Sequence, residues 1–90
     1  MERILALRKK VDEIDEKILY SLKERVEVCK DIGAIKRKHG IPIRDHRRED
    51  EVYTNIRKKA SELELNPHEV KAVYQETIAM STHAQADTKT

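Results

Sequence analysis

The sequence has few of the residues that end or cross-link short structural elements. Its 90 residues include two glycines, two prolines and one cysteine, with no Phe or Trp. So few turn-forming residues exclude a turn-rich β-sandwich or barrel, and one cysteine excludes an internal disulfide framework. No apolar run approaches the ~20 residues of a membrane span, and residues 4–7 are too short for a signal peptide. We therefore expect an all-α, cytoplasmic chain that forms one domain over residues 1–90.

The charge is high but nearly balanced. Charged residues make up 40% of the chain, and 19 basic against 17 acidic residues give a net charge of +2, so general attraction to nucleic acid is weak. A basic cluster nevertheless lies within thirteen residues: Lys36, Arg37, Lys38, Arg44, Arg47 and Arg48, with His39 and His46. A solvated face is the ordinary explanation. Few aromatics are available for base stacking, so we expect no nucleic-acid partner.

The first half of the sequence predicts one very long helix. Apolar residues recur at steps of three and four, the period of one helical face: Ile4, Leu7, Val11, Ile14, Ile18, Leu22, Val26, Cys29 and Ile32. The pattern stops at Gly40 and Pro42, a helix-stop signature. A helix over residues 4–38 is about 52 Å long, whereas a compact chain of this size has a radius of gyration of about 12 Å. The helix must therefore extend beyond the rest of the chain, and its apolar stripe needs another surface to cover it. The simplest such surface is a second copy of the chain related by a two-fold axis.

Two shorter helices are expected to follow. Asp45 can cap the second helix, which ends near Leu65, and Asn66 with Pro67 marks the start of the third. Their predicted inward faces are Val52, Ile56, Ala60 and Leu63 on one, and Val70, Val73, Tyr74, Thr77 and Ser81 on the other. Residues 86–90 are expected to be a frayed tail. Gly33, inside the first helix, marks either a kink or a close backbone approach.

Polar side chains interrupt the apolar faces of all three helices. Arg8, Arg25 and Lys36 lie on the first stripe, Arg48 and Glu49 precede Val52 by about one turn, and Ser81 and Gln85 continue the third helix. One cation at the edge of a stripe is usually a long side chain reaching for solvent. Several together need water or an anionic ligand, because an unpaired buried charge is costly. Two arginines and a lysine suit a small molecule with two carboxylates.

The residues also limit the available chemistry. The four histidines lack the short ligand spacing of a zinc helix, and no glycine-rich phosphate loop is present. Cys29 falls on an apolar face, as expected of a core residue rather than a nucleophile. Cations, an amide and a hydroxyl without an evident nucleophile indicate a reaction driven by binding and electrostatics.

Several segments together resemble the all-helical class of chorismate mutases. They are residues 5–8, 11–15, 24–25, 33–36, 42–45 with Arg48 and Glu49, and Ser81 with Gln85, so the resemblance covers about residues 5–85. It implies an intertwined homodimer of three-helix protomers that rearranges chorismate to prephenate, in the biosynthesis of phenylalanine and tyrosine, with no cofactor or metal. We expect a stand-alone, monofunctional form.

The resemblance also implies a role for each polar residue. Arg25 and Lys36 would bind substrate carboxylates, and Arg8 would reach in from the second chain. Lys36 and Gln85 would hydrogen-bond the ether oxygen of the breaking bond. The remaining roles are these: Glu49 and the Asp45 backbone would hold the ring hydroxyl, Ser81 the ring carboxylate, and Arg48 would complete the cationic wall.

Three other interpretations remain open at this point. An isochorismate-pyruvate lyase uses the same scaffold, although the full donor set including Gln85 favours the mutase. A non-enzymatic helical module could use the basic cluster to bind nucleic acid or protein. A purely structural dimerisation bundle would tolerate, or gain stability from, replacement of Arg25 by alanine.

Overall fold

The computed structural model describes residues 1–87, which form three α-helices joined by short loops. The helices are α1 (Glu2–His39), α2 (His46–Glu62) and α3 (Pro67–Ala86), so the all-α fold with a very long first helix is confirmed. Within residues 1–87, no helix is both long and apolar enough to cross a membrane. Of the expected frayed tail, Ala86 is the last residue of α3, and residues 88–90 lie outside the described part of the chain.

The glycine-proline signal ends α1 as expected. Gly40 adopts a left-handed conformation with φ 66°, in which glycine has no Cβ to clash. The Ile41 N–H then donates to the Lys36 carbonyl at 2.8 Å, which satisfies an end-of-helix acceptor. The helix is continuous through Gly33.

Side-chain caps begin the other two helices. The Asp45 carboxylate accepts from the Arg48 N–H at 3.1 Å, and the Asn66 side chain accepts from the His68 N–H at 2.9 Å. The second helix ends at Glu62, three residues before the predicted Leu65. It stops there because Glu64 adopts a left-handed φ of 59°, and the Leu65 N–H turns back to the Ala60 carbonyl.

Mostly small residues form the core where α3 packs against α1 and α2. Its buried members are Cys29, Gly33, Ala60, Thr77, Ile78, Ser81 and Ala84. Two residues predicted to face inward do not: Leu63 is 59% exposed and Val73 is 64% exposed. Leu63 lies in the turn beyond α2, and Val73 lies on a side of α3 that a single chain leaves uncovered.

The isolated chain is extended. Its radius of gyration is 16.4 Å, and its dimensions are 56 × 30 × 15 Å, whereas a compact chain of this length has a radius of gyration of about 12 Å. Much of the first half of α1 projects from the rest, and its apolar stripe is largely open to solvent, with Val11, Ile14 and Ile18 each more than half exposed. Ile14 and Ile18 also line an open groove beside Val73 and Tyr74 of α3.

Candidate active site

A cavity lies between the second half of α1, the beginning of α2 and the end of α3. Its volume is about 280 Å³, near the lower end of the ~300–1,000 Å³ range of ligand pockets. Seven of the eight predicted site residues line it: Arg25, Lys36, Asp45, Arg48, Glu49, Ser81 and Gln85. The structure therefore brings together polar residues that are up to 60 positions apart in the sequence.

Arg25 reaches the cavity from the middle of α1. It is partly buried, and its guanidinium donates a hydrogen bond to Ser81 Oγ on α3. Ser81 in turn donates to the Thr77 carbonyl at 3.0 Å, one turn earlier in α3. This chain of hydrogen bonds holds the guanidinium against α3, and because it has five N–H donors, others stay available for an anion.

Lys36 and Gln85 form a direct pair across the cavity. Lys36 Nζ donates to Gln85 Oε1 at 2.8 Å and to the Ile43 carbonyl at 2.8 Å. An ammonium group has three donors and no acceptor, so the amide atom facing it must be the oxygen. The Gln85 NH₂ group and one Lys36 proton are therefore left for a ligand oxygen.

The backbone of Gln85 is held from the other side by α1. The Arg37 guanidinium donates to the Gln85 carbonyl oxygen. Gly33 packs directly on the Gln85 backbone, where a Cβ on residue 33 would lie only 2.6 Å from the Gln85 Cα. Of the two interpretations of Gly33, the structure thus shows the close backbone approach, at the residue whose amide enters the cavity.

Glu49 enters the cavity from the first turn of α2 as one half of an ion pair. Arg44 Nε donates to Glu49 Oε2 at 3.0 Å, and Arg44 Nη2 donates to Oε1 at 3.3 Å. The Arg44 side chain is 62% exposed, but that of Glu49 is only 17% exposed. The hydrogen bond to Glu49, and then its negative charge, raise the pKa of Arg44 above its ordinary value.

Arg8 is the one predicted site residue that lies elsewhere. It is exposed on the projecting half of α1 and precedes Arg25 by 17 residues, which is about 26 Å along a helix. A rigid α1 cannot bring Arg8 to the cavity of its own chain.

Four groups that shape the cavity have partners that the sequence pattern does not identify: Arg44, Arg37, Gly33 and the Ile43 carbonyl. Arg44 precedes Glu49 by five residues across a loop, so helical spacing does not pair them. Gly33 stands out within the α1 pattern, but its partner on α3 cannot be identified from α1 alone. Cys29 lies in the wall with Ile32, Val52 and Ile78; it is buried, in agreement with its predicted core position.

The cavity carries more positive than negative charge. Arg25, Lys36, Arg44 and Arg48 line it together with two acids, Asp45 and Glu49. Asp45 is occupied in capping α2, and Glu49 is paired with Arg44. The remaining cations leave a site suited to an anionic ligand. Residues 1–87 contain no group of three or more His, Cys, Asp or Glu placed to hold a metal ion.

Comparison with curated proteins finds one relative named for a single activity and another named for two. A chorismate mutase of Methanocaldococcus jannaschii is 47% identical over 62 residues, which cover 69% of this chain and 63% of that protein. A bifunctional chorismate mutase/prephenate dehydratase of Aquifex aeolicus is 46% identical over 62% of this chain but only 16% of its own length. This chain thus spans less than two thirds of the length of either relative.

A third relative is named for a different substrate. The 4-amino-4-deoxychorismate mutase of Streptomyces pristinaespiralis is 30% identical over 86% of this chain and 59% of its own length. A family model described as chorismate mutase type II matches residues 7–86, which include every residue of the cavity wall. The chain therefore belongs to the type II chorismate mutase family.

Proposed function

We propose that this chain acts as a single chorismate mutase domain, converting chorismate to prephenate. The observation that carries the proposal is the convergence of Arg25, Lys36, Arg48 and Gln85 on one cavity in a chain of this family. The reaction is an intramolecular rearrangement in which a C–O bond breaks as a C–C bond forms. It needs a shaped, charged site but no nucleophile.

The cations hold the substrate in its reactive shape. Chorismate carries two carboxylates, and fixing both restricts a flexible molecule to a compact conformer in which the reacting carbons are close. Arg25, anchored by Ser81, and Lys36 bind the side-chain carboxylate. Ser81 donates to the ring carboxylate when its hydroxyl proton turns from the Thr77 carbonyl to the ligand, and Arg48 completes the cationic wall.

Lys36 and Gln85 stabilise the transition state itself. Negative charge grows on the ether oxygen as the C–O bond lengthens, and only contacts that strengthen at that point accelerate the chemical step. The free Lys36 proton and the Gln85 NH₂ group are donors of that kind. A 10⁶-fold acceleration needs about 8 kcal/mol, and one such donor supplies about 3–4 kcal/mol, so conformational restriction supplies much of the rest.

The ring hydroxyl is held at the α2 end of the cavity. The Glu49 carboxylate, only 17% exposed, accepts from this hydroxyl, and the Asp45 backbone N–H donates to the hydroxyl oxygen. The same position distinguishes chorismate from 4-amino-4-deoxychorismate, in which an amino group replaces that hydroxyl.

The active form is a homodimer with shared sites. The isolated chain has 7723 Å² of accessible surface, whereas a compact monomer of 10.5 kDa has about 5,400 Å². The excess of about 2,300 Å² per chain is about 4,600 Å² for two chains, which lies in the range of about 2,000–5,000 Å² that obligate homodimers bury. Pairing the exposed stripe of α1 with that of a second copy removes this excess.

Antiparallel pairing would also supply the missing arginine. A two-fold axis near the midpoint of Arg8 and Arg25, at residues 16–17 of α1, brings Arg8 of one chain to Arg25 of the other. Ile14 and Ile18 flank that midpoint and are each 52% exposed in the single chain. The same pairing therefore covers the stripe and completes the site.

The activity is tested by mixing the pure protein with chorismate and following loss of substrate absorbance, with the products identified chromatographically. Prephenate supports the proposal. Pyruvate, from isochorismate offered in parallel, would favour the lyase, and no turnover of either compound would contradict both. Sedimentation should give a species of twice the 10.5 kDa chain mass. The cytoplasmic location stays a prediction.

A further inference from the structure

The Arg44–Glu49 pair sets the charge at the position where the ring substituent binds. Arg44 approaches both oxygens of Glu49, at 3.0 and 3.3 Å. Each carboxylate oxygen has a second lone pair, so Glu49 still accepts hydrogen bonds from the cavity. The paired arginine, however, offsets part of the negative charge that Glu49 would otherwise present there.

We propose that Arg44 is a positioning residue that makes Glu49 select a neutral hydroxyl over a charged amino group. This inference rests on the proposed function and deepens it by naming what selects the substrate. Arg44 acts through Glu49, because the two hydrogen bonds fix the orientation of that carboxylate.

Two physical effects lead to this selectivity. A protonated amino group placed beside Glu49 would also meet Arg44, Arg48 and Lys36, all of which line the same cavity, and like charges at close range repel. A hydroxyl group needs only a hydrogen-bond acceptor whose orientation is fixed. Glu49, held by two hydrogen bonds from Arg44, provides such an acceptor. Without Arg44, Glu49 becomes a mobile, uncompensated anion that suits an ammonium group better.

The test compares chorismate with 4-amino-4-deoxychorismate as substrates of the intact dimer. Arg44→Ala should lower kcat/KM for chorismate about tenfold and lower it less, or raise it, for the amino analogue. Arg44→Lys keeps the charge but not the two-point geometry, so it should restore part of the discrimination. Arg47→Ala is the matched control: it removes an exposed cation of α2 outside the cavity wall and should leave both rates unchanged.

A double-mutant cycle separates action through Glu49 from direct contact with substrate. In a Glu49→Ala background, the effect of Arg44→Ala on the ratio of the two kcat/KM values should disappear. The inference would be overturned if Arg44→Ala still changed this ratio in the Glu49→Ala background. It would also be overturned if Arg44→Ala alone lowered kcat/KM equally for both substrates. Neither result would contradict the mutase activity. A wild-type protein that converts neither compound would overturn the proposed function and this inference together. Circular dichroism and melting curves check that Arg44→Ala, a change at an exposed loop residue, remains folded.

Discussion

The two halves of α1 have the same apolar pattern but different surroundings. In the second half, Cys29 and Gly33 are buried against α3, and Arg25 and Lys36 enter the cavity. In the first half, Val11, Ile14 and Ile18 remain more than 50% exposed, and Arg8 is in solvent. Periodicity thus shows which face of a helix packs, but not which chain covers it.

The difference between the two halves explains why a chain of this size has a helix so long. Residues 2–39 form one element, yet α3 covers only part of it. If the uncovered half pairs with another copy, each cation on the stripe has a place in a site: Arg25 in its own chain and Arg8 in the neighbouring one. Substitutions in each half of α1 and in the cavity test this division.

The largest effect is expected from a charge on the exposed stripe. Ile14→Lys would place an unpaired ammonium at the proposed two-fold axis, once from each chain, at a cost of several kcal/mol. We expect loss of the dimer and of nearly all activity, measured by sedimentation at micromolar concentration and by the chorismate assay.

Tyr20→Lys is the control for this change. Tyr20 is 71% exposed and lies on the opposite face of the same half of α1, so a lysine there should leave the dimer intact. If both variants remained dimeric and active, the stripe would not be the interface.

The next effect is expected from loss of either arginine of the proposed shared site. Arg8→Ala and Arg25→Ala should each reduce kcat/KM on the order of a thousandfold, because each removes a charged contact to substrate. In a mixed dimer both lesions fall in one site and leave the other intact. Co-refolding equal amounts should therefore restore about a quarter of the wild-type activity.

Mass spectrometry of differently tagged chains would verify that mixed dimers form. Verified mixed dimers without recovery would mean that each site belongs to a single chain. A purely structural bundle would instead be favoured if the wild type had no activity and Arg25→Ala left the free energy of unfolding unchanged or raised it.

A smaller effect, dependent on pH, is expected at Gln85. The amide donates at any ordinary pH, whereas Gln85→Glu supplies a donor only while its carboxyl group is protonated, and the ordinary pKa of Glu is about 4.3. Activity of the variant should therefore be highest in acid and fall as the pH rises through the range in which that carboxyl group ionises, to about a hundredth of wild type at neutral pH. A flat pH–rate profile for the variant would refute the donor role of Gln85.

Much of the fold could be predicted from the sequence because local signals mark it. Gly40, Asp45 and Asn66 act where their capping chemistry predicts. The predicted end of α2 lies three residues too far along the chain, because nothing in the sequence marks the left-handed Glu64. A glutamate adopts that conformation only when the surrounding turn imposes it.

The site was partly predictable for a similar reason. Charged and amide side chains that interrupt an apolar face identify Arg25, Lys36 and Gln85 from the sequence alone. Contacts that depend on packing between helices, such as Gly33 on the Gln85 backbone, have no counterpart in the spacing along one helix. The pairing of Arg44 with Glu49 depends on the path of a loop, which periodicity does not describe.

The smallest effect tests the contact between Gly33 and Gln85. Alanine favours a helix over glycine by about 1 kcal/mol, but a Cβ at residue 33 would meet the Gln85 backbone, and overpacking costs about 1–3 kcal/mol. We expect Gly33→Ala to reduce the free energy of unfolding by about 1 kcal/mol and, by displacing Gln85, to lower kcat about tenfold. The neighbouring Ala34 is exposed, so Ala34→Gly should cost similar stability through helix propensity alone and leave kcat unchanged. Urea unfolding and steady-state kinetics on both variants separate helix propensity from the contact with the Gln85 backbone. If Gly33→Ala were more stable than wild type and its kcat were unaltered, α1 would not position Gln85.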